Sequence, residues 1–274
     1  MITFNNASYI GGRFGNQLFK YASLIGIAKK NGYEYGIPYR EIPCTNDKAK
    51  VFYDKFTLFD CFNLSAKDSS DLIYPTKFEF DGNYDGSFEN ISDNIDIGGY
   101  FQSEKYFLHC RDLILKEFTF KNEIVDKTLD YLRGFDLDNT VCIHARCFTD
   151  YESIGLNVDL DYYTNALSMF DKDKTIILIS DDINKARSLL KFENKVVYSD
   201  NNYLVDFCIM TFVKHIIMSN STFSWWGSWL NNRSDKIIVA PKEWYPKGVV
   251  NFIPPWVDKP YQTNDIYCPN WVLV

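Results

Sequence analysis

Val141-Cys142-Ile143-His144-Ala145-Arg146 and Thr175-Ile176-Ile177-Leu178-Ile179-Ser180-Asp181-Asp182 follow one plan, a short apolar run that stops abruptly at polar residues. Three further runs repeat it. Val196-Val197-Tyr198 ends in Ser199-Asp200, His215-Ile216-Ile217-Met218 ends in Ser219-Asn220-Ser221-Thr222, and Ile237-Ile238-Val239 ends in Ala240-Pro241-Lys242. Helix-length segments lie between them. Asp161 to Phe170 puts Tyr162, Ala166, Leu167 and Phe170 on one face. Asp182 to Phe192 carries Ile183, Ala186, Leu189 and Leu190, and Tyr203 to Phe212 is apolar nearly all round. Strand and helix alternating at this rhythm predict an α/β fold with a doubly wound parallel sheet. In such sheets ligands bind beyond the carboxyl ends of the strands. The polar residues cluster at those ends.

Working outward, the chain begins in the same way. Ser8-Tyr9-Ile10 reads as a short strand, Gly11-Gly12-Arg13-Phe14-Gly15-Asn16 as a glycine-rich turn, and Gln17 to Lys30 as an amphipathic helix. Leu18, Ala22, Ile25 and Ala28 share its apolar face, Lys29 and Lys30 suit its C-terminal dipole, and Gly32 can end it. The stretch from Tyr33 to Gly98 is rich in aromatic and turn residues and has no sustained period. The expected division is an N-terminal domain over 1–138, a second domain over 139–250, and a tail over 251–274 that packs back on the first. The boundary falls in Leu132-Arg133-Gly134-Phe135-Asp136-Leu137-Asp138.

Bulk properties narrow the function. The chain has 274 residues, 46% of them apolar, so it can bury a core. Its net charge of −7 argues against a general nucleic-acid binder. Aromatics at 17% suit either stacking on sugar faces or a Phe/Tyr-rich core. Seven cysteines occur without a CxxC pair, which predicts free thiols, buried at Cys142 and Cys208, in a reducing, cytoplasmic setting. No signal peptide and no membrane-length apolar run is visible.

Several constellations could carry chemistry. The glycine-rich turn lets backbone amides approach an anion at a helix start. It lacks both the third glycine of a dinucleotide fingerprint and the Gly-Lys-Ser/Thr of a P-loop. His144 and Arg146, two apart on a strand, point to the same side. Arg146 offers a donor fork suited to phosphate oxygens and could equally be a salt-bridge residue, while His144 could be a satisfied core histidine. Asp181 and Asp182 could orient Arg146, hold a metal, or cap the helix that starts at Ile183. Ser221, Thr222 and Ser224 head a helix and offer hydroxyls and free amides to a phosphate, while Trp225 and Trp226 read as core. The pairs Asp136/Asp138, Asp159/Asp161 and Asp171/Asp173 sit in turn or helix-start contexts, so no metal site is expected.

Together these residues carry a resemblance. GGRFGNQLFKYASL at the start, GYFQSEKYF at 99–107, HAR at 144–146, SDD at 180–182, SNSTFSWWGSWL at 219–230 and APKEWY at 240–245 resemble the α-1,2-fucosyltransferases of glycosyltransferase family 11. The resemblance implies two Rossmann-like domains facing across a cleft (the GT-B type), a GDP-fucose donor, a glycan acceptor, inversion at the anomeric carbon, and no cofactor or metal. It implies that Arg146 binds the donor diphosphate, that His144 lies near the nucleotide, and that Asp206 reads the guanine edge. Ser221, Thr222 and Phe223 would form the phosphate- and fucose-side loop, with Gly12, Arg13 and Gly15 in the first turn. Asn16 would lie near the reacting oxygen, and Asp181 and Asp182 would brace the donor. The family pattern HxRR is broken here by Cys147, for which Arg13 or Lys105 could compensate. Asp150 and Glu152 are the candidate bases. A transferase using another nucleotide sugar, or a non-catalytic sugar-binding protein, stays open beside the fucosyltransferase reading.

Overall fold

A computed structural model of the chain describes residues 1–5, 13–39, 57–78, 83–147, 157–245 and 264–274. The strand expected at Ser8–Ile10 and the candidates Gly12, Asp150 and Glu152 lie outside them. The chain forms two units. The first is Met1–Lys121 with Phe252–Cys268, and the second is Asn122–Asn251 with Pro269–Val274.

The second unit is built on the runs that the sequence announces. Its strands are β6 (Thr140–Ala145), β7 (Thr175–Ser180), β8 (Val196–Tyr198), β9 (His215–Ile217), β10 (Ile238–Ala240) and β11 (Val272–Leu273), in the spatial order β11-β10-β9-β6-β7-β8. Every pairing is parallel, and Val141 at the centre faces Ile176 of β7 and His215 of β9. All of β6 is buried, as a parallel strand covered on both faces must be, which is why its sequence is a continuous apolar run. The helices following strands, α5 (Leu160–Leu167), α6 (Ile183–Leu189), α7 (Tyr203–Phe212) and α8 (Thr222–Leu230), each start on a side-chain cap. Asp159, Asp182, Asn202 and Ser221 accept backbone N–H groups of the first turns. Such caps contribute ~1 kcal/mol each. The Tyr162 hydroxyl, 2.7 Å from the Met218 carbonyl and 3.1 Å from that of Val239, pins α5 to β9 and β10.

The tryptophans of α8 are core, as their apolar neighbours imply. Trp225 and Trp226 are fully buried, and Trp225 stacks on Trp229 at 6.4 Å and meets Trp271 edge-on at 5.5 Å. Gly227 lets α8 come close to α7, since a Cβ there would lie 2.8 Å from Met210 Cε. The unit also takes α4 (Asn122–Leu132), which packs on α7. The division therefore falls before this helix rather than in 132–138, because Ile124, Thr128 and Leu132 bury one face against the second unit.

The first unit holds β1 (Ile2–Thr3), β2 (Tyr35–Ile37), β3 (Lys67–Asp68), β4 (Thr76–Phe78) and β5 (Asp96–Gly98), all parallel, in the order β3-β2-β1-β5-β4. Its helices are α1 (Phe14–Asn31), α2 (Leu58–Cys61) and α3 (Arg111–Glu117). Helix α1 starts three residues before the expected Gln17, so Gly15 and Asn16 belong to its first turn. It ends as expected at Gly32, whose φ of +71° lets its N–H return to the carbonyls of Ala28 and Lys29. It is not amphipathic. Apart from Asn16, every residue from Phe14 to Ala28 is buried, including Gln17, Lys20 and Ser23, because other segments of the unit enclose it. At Gly26 an added Cβ would lie 2.1 Å from the Tyr106 carbonyl oxygen, so α1 and the 104–107 turn can meet only through glycine.

Two buried carboxylates of this unit each gather several donors. The Asp96 carboxylate accepts from Thr3 Oγ1 at 2.8 Å and from the Asn5 N–H at 2.6 Å, tying the ends of β1 and β5 together. Glu117 accepts from the Tyr21 hydroxyl at 2.7 Å and the Ser65 N–H at 2.9 Å. Burial, followed by this partnership with Glu117, pushes the Tyr21 phenol well above its ordinary value.

Candidate functional site

In the second unit the chain runs from β6 outward through β7 and β8, then returns to place β9 on the other side of β6. The order reverses between β6 and β9, and an open α/β sheet leaves its ligand crevice at that point. Two of the sequence constellations meet there: His144 and Arg146 at the end of β6, and Ser219-Asn220-Ser221 at the end of β9.

The two strand ends are joined by side chains. Ser219 Oγ and His144 Nδ1 are 3.0 Å apart. The His144 ring packs on Phe223 at 5.3 Å, and Phe223 packs on Phe207 of α7 at 5.2 Å. Burial, then the nearby Arg146 charge, lowers the His144 pKa to about 3. His144 is thus a neutral imidazole at ordinary pH, and Arg146 supplies the positive charge. Arg146 itself is partly buried, one residue beyond the last residue of β6.

Helix α8 begins at this crevice. Ser221, its N-cap, is 1% exposed, and Thr222 and Phe223 of the first turn are partly buried. Ser224 Oγ donates toward the carbonyls of Ser219 and Ser221, at 3.3 and 3.2 Å, closing the turn between β9 and α8. Asn220 Nδ2 donates to the Trp244 carbonyl at 2.9 Å, linking this turn to the APKEWY stretch. The helix N-terminus and the Arg146 fork are two anion-attracting elements among the described residues at the end of the sheet.

The adjacent carboxylates do different jobs. Asp182 caps α6 by accepting the Lys185 N–H at 2.9 Å. Asp181 accepts the backbone N–H of Cys147 at 2.6 Å, so it holds the chain leaving β6 just past Arg146. Cys147 is 8% exposed and packs with Val141, Ile143, Ala145 and Tyr163, turned into the core where the family pattern carries its second arginine. Burial raises its thiol pKa first, so it is an inert core thiol.

Asp206 lies on the first turns of α7, 6% exposed, and accepts from Ser199 Oγ at the end of β8. Asn201 Nδ2 donates to the same hydroxyl at 2.9 Å. Burial raises the Asp206 pKa to about 7, against the opposing pull of the Ser199 hydrogen bond. The sequence shows Ser199 and Ser219 as strand-end residues, but their partners become visible only when strands distant in sequence are adjacent.

The remaining candidates lie in the first unit. Arg13 precedes α1, and its carbonyl accepts from the N–H groups of Asn16 at 2.9 Å and Gln17 at 3.1 Å. Asn16 Oδ1 accepts from Gln102 Nε2 at 3.0 Å, joining the GNQ helix to the GYFQSEKYF stretch. Lys105 forms an ion pair with Asp265 of the same unit at 2.5 Å. The Asp-x-Asp strings fall to local structure in two cases: Asp136 accepts the Asp138 N–H at 3.1 Å, and Asp159 that of Asp161 at 3.3 Å. Among the described residues no group of three or more His, Cys, Asp or Glu is placed to hold a metal, and no helix is long and apolar enough to cross a membrane.

Comparison with known proteins agrees with this layout. The model of glycosyl transferase family 11 matches residues 3–274. An alpha-1,2-colitosyltransferase of Escherichia coli is 23% identical over 285 residues, covering 91% of this chain and 96% of its own. Galactoside alpha-(1,2)-fucosyltransferase 2 of Rattus norvegicus is 25% identical, covering 91% and 75%. The O-antigen biosynthesis glycosyltransferase WbnK of Escherichia coli is 30% identical over 164 residues, about half of each chain at 53% and 54%. Among solved structures, POFUT1 in complex with GDP aligns with a TM-score of 0.53 at 13% identity, covering 86% and 97%. NodZ alpha-1,6-fucosyltransferase soaked with GDP-fucose aligns with a TM-score of 0.52 at 13% identity, covering 84% and 91%. These likenesses establish the fold as the GT-B type, with its two Rossmann-like units.

Proposed function

Because the chain belongs to glycosyltransferase family 11, we propose that it is an inverting α-1,2-fucosyltransferase that moves L-fucose from GDP-β-L-fucose to a galactoside hydroxyl of a glycan or polysaccharide precursor. The observation that carries this reading is the joining of the β6 and β9 ends at the sheet reversal through His144, Ser219 and Phe223, with Arg146 just beyond β6 and the start of α8 just beyond β9, a guanidinium and a helix start suited to one diphosphate.

In this mechanism the bond between the fucose anomeric carbon and the β-phosphate oxygen breaks through an oxocarbenium-like transition state, and negative charge grows on the phosphate. Arg146, the amides at the start of α8 and the dipole of that helix stabilise that charge. His144, neutral, contributes orientation through Ser219 rather than charge. Asp181 keeps Arg146 in place by holding the next backbone amide. Asp206, buried beside Ser199, accepts from the N–H edge of the guanine. Asn16 of the first unit orients the acceptor hydroxyl.

Arg146→Ala is expected to lower kcat by roughly 100-fold or more, on the scale of removing one preorganised donor. A folded variant with near-wild-type turnover would remove Arg146 from this role. A second reading, transfer of another sugar from its nucleotide, is favoured by one observation: the E. coli relative named a colitosyltransferase matches across 91% of the chain. Thermal shift with GDP, UDP, GDP-fucose and GDP-mannose, followed by mass spectrometry of products with a panel of galactosides, separates the two readings. Stabilisation by UDP and not by GDP would overturn the guanine assignment.

A further inference from the structure

A carboxylate that reads the N–H edge of guanine must be ionised when the base arrives, and the surroundings of Asp206 work against that. The residue is 6% exposed, and burial raises its pKa to about 7. The titratable groups around it bring no positive charge. Asp200, in the turn after β8, is a like charge. Burial keeps Cys142 of β6 and Tyr131 of α4 neutral, the thiol well above its ordinary value and the phenol at about 12. Helix α8, which also packs on α7, has no ionisable side chain from Thr222 to Leu230. Among the described residues one group favours the charged carboxylate. It is the Ser199 hydroxyl, which donates to Asp206 Oδ1.

The bonds around Ser199 commit that proton. A serine hydroxyl has one proton to give and two lone pairs to accept with. Both acceptor sides are taken by Asn201, whose Nδ2 donates at 2.9 Å and whose backbone N–H donates at 3.4 Å. The remaining direction leads to Asp206. Closing the turn after β8 accounts for the bonds that Ser199 accepts, not for the one it gives. The start of α7 is held separately by Asn202 Oδ1, which accepts from the N–H groups of Leu204 at 3.0 Å and Val205 at 3.2 Å. A relay therefore runs from Asn201 through Ser199 and occupies one oxygen of the carboxylate. The other, Oδ2, has no hydrogen bond among the described residues. Phe207, next along α7, packs on Phe223, which packs on His144, so Asp206 adjoins the rings at the β6/β9 reversal.

We infer that Ser199, with Asn201 behind it, is the positioning residue of base recognition, holding Asp206 as a hydrogen-bond acceptor with Oδ2 left for the N–H edge of the purine. This rests on the reading of Asp206 as the guanine acceptor and supplies the group that makes it one. The consequence is a coupling between nucleotide and proton. Below about pH 7 the free protein carries a proton on Asp206 that guanine must displace, so affinity falls with falling pH. The hydrogen bond from Ser199 to the charged form keeps that threshold from lying higher.

The test is calorimetric binding of GDP to the whole protein from about pH 5.5 to about 9, a range that spans the titration of Asp206. The terminal phosphate of GDP titrates near ~6 in every variant, so differences between variants are read. Ser199→Ala is expected to bind GDP about five- to tenfold more weakly at about pH 7 and to recover most of that loss by about pH 9. Its profile should lie about one pH unit above that of wild type, the scale of one hydrogen bond to a charge. Asn201→Ala keeps its backbone N–H and sits at a partly exposed position, and should move the same way by less. It decides the matter if Ser199→Ala does not fold. Asp206→Asn should weaken GDP most at high pH and leave only the titration of the phosphate. An unchanged affinity in Ser199→Ala, or an equal loss at every pH with the profile parallel to wild type, overturns the proposal, since a purely structural serine would behave so. An Asp206→Asn protein that binds GDP with the wild-type affinity and profile counts instead against the guanine reading of Asp206, and the proposal falls with that reading.

Discussion

At the residue level, His144 and Asp206 show how burial selects a charge state that each side chain would not choose in water. Burial keeps His144 neutral until about pH 3. An unfolded chain protonates it near ~6.5, so its contribution to stability is complete above that pH and is lost as pH falls toward the folded value. Asp206 is the reverse. Burial keeps it protonated up to about pH 7, against ~3.9 when unfolded, so its contribution is complete below the unfolded value and is lost as pH rises through the folded one. Between about pH 4 and 6.5 the two slopes oppose each other. Asp206→Asn should therefore make the pH dependence of stability steeper upward than wild type, by at most ~1.4 kcal/mol per pH unit. His144→Gln should tilt it downward by a similar amount. Urea melts across this range check both, and slopes unchanged from wild type in either variant would contradict the assigned protonation states. Neither state is legible from sequence, where His144 reads as a site or a core histidine with equal ease. What settles it is burial, in which the Phe223 ring from a distant part of the chain takes part, followed by the nearby Arg146 charge.

At the level of elements, the second unit could be read in advance because parallel strands covered on both faces write themselves as apolar runs. Val196–Tyr198 and Tyr203–Phe212 were legible to the residue, and the ends of the other runs differ by only a few positions. The first unit gave no such signal. Its strands are two or three residues long, and residues such as Gly36, Lys67 and Asp96 sit in them with their polar groups paired or exposed. The extended reading of α1 as amphipathic failed for a related reason, since a helix enclosed on all sides can carry Gln17 and Lys20 inside when partners meet them. Gly26 makes that enclosure possible. Gly26→Ala would drive a Cβ onto the Tyr106 carbonyl oxygen at 2.1 Å and to 2.8 Å from the Phe107 Cα, both backbone atoms that cannot rotate away. Overpacking of this kind costs ~1–3 kcal/mol or more. A denaturant midpoint equal to wild type would show that the helix and the turn separate more easily than this contact implies.

On the scale of the whole molecule, the division of the chain into two units gives ligand binding a testable address. The sequence pointed to the carboxyl ends of β6 and β9 as ligand-facing and set α4 and the C-terminal strand with the first domain, whereas both pack on second-unit partners remote in sequence. With those elements in place, the proposed GDP site draws only on second-unit residues: Arg146, the Ser221 turn and Asp206. A ligand stabilises what it binds by RT ln(1 + [L]/Kd), so GDP at about 100 times its Kd should slow global-opening exchange of second-unit amides by roughly 100-fold. Hydrogen exchange followed by mass spectrometry should therefore show the strongest protection in peptides spanning β6, β9 and the start of α8, with little change in β1, β5 and α1. Arg146→Ala should erase the difference at the same GDP concentration by raising Kd. Protection concentrated on β1 and α1, with β6 and β9 unaffected, would move the nucleotide to the first unit and with it the sense of the reaction.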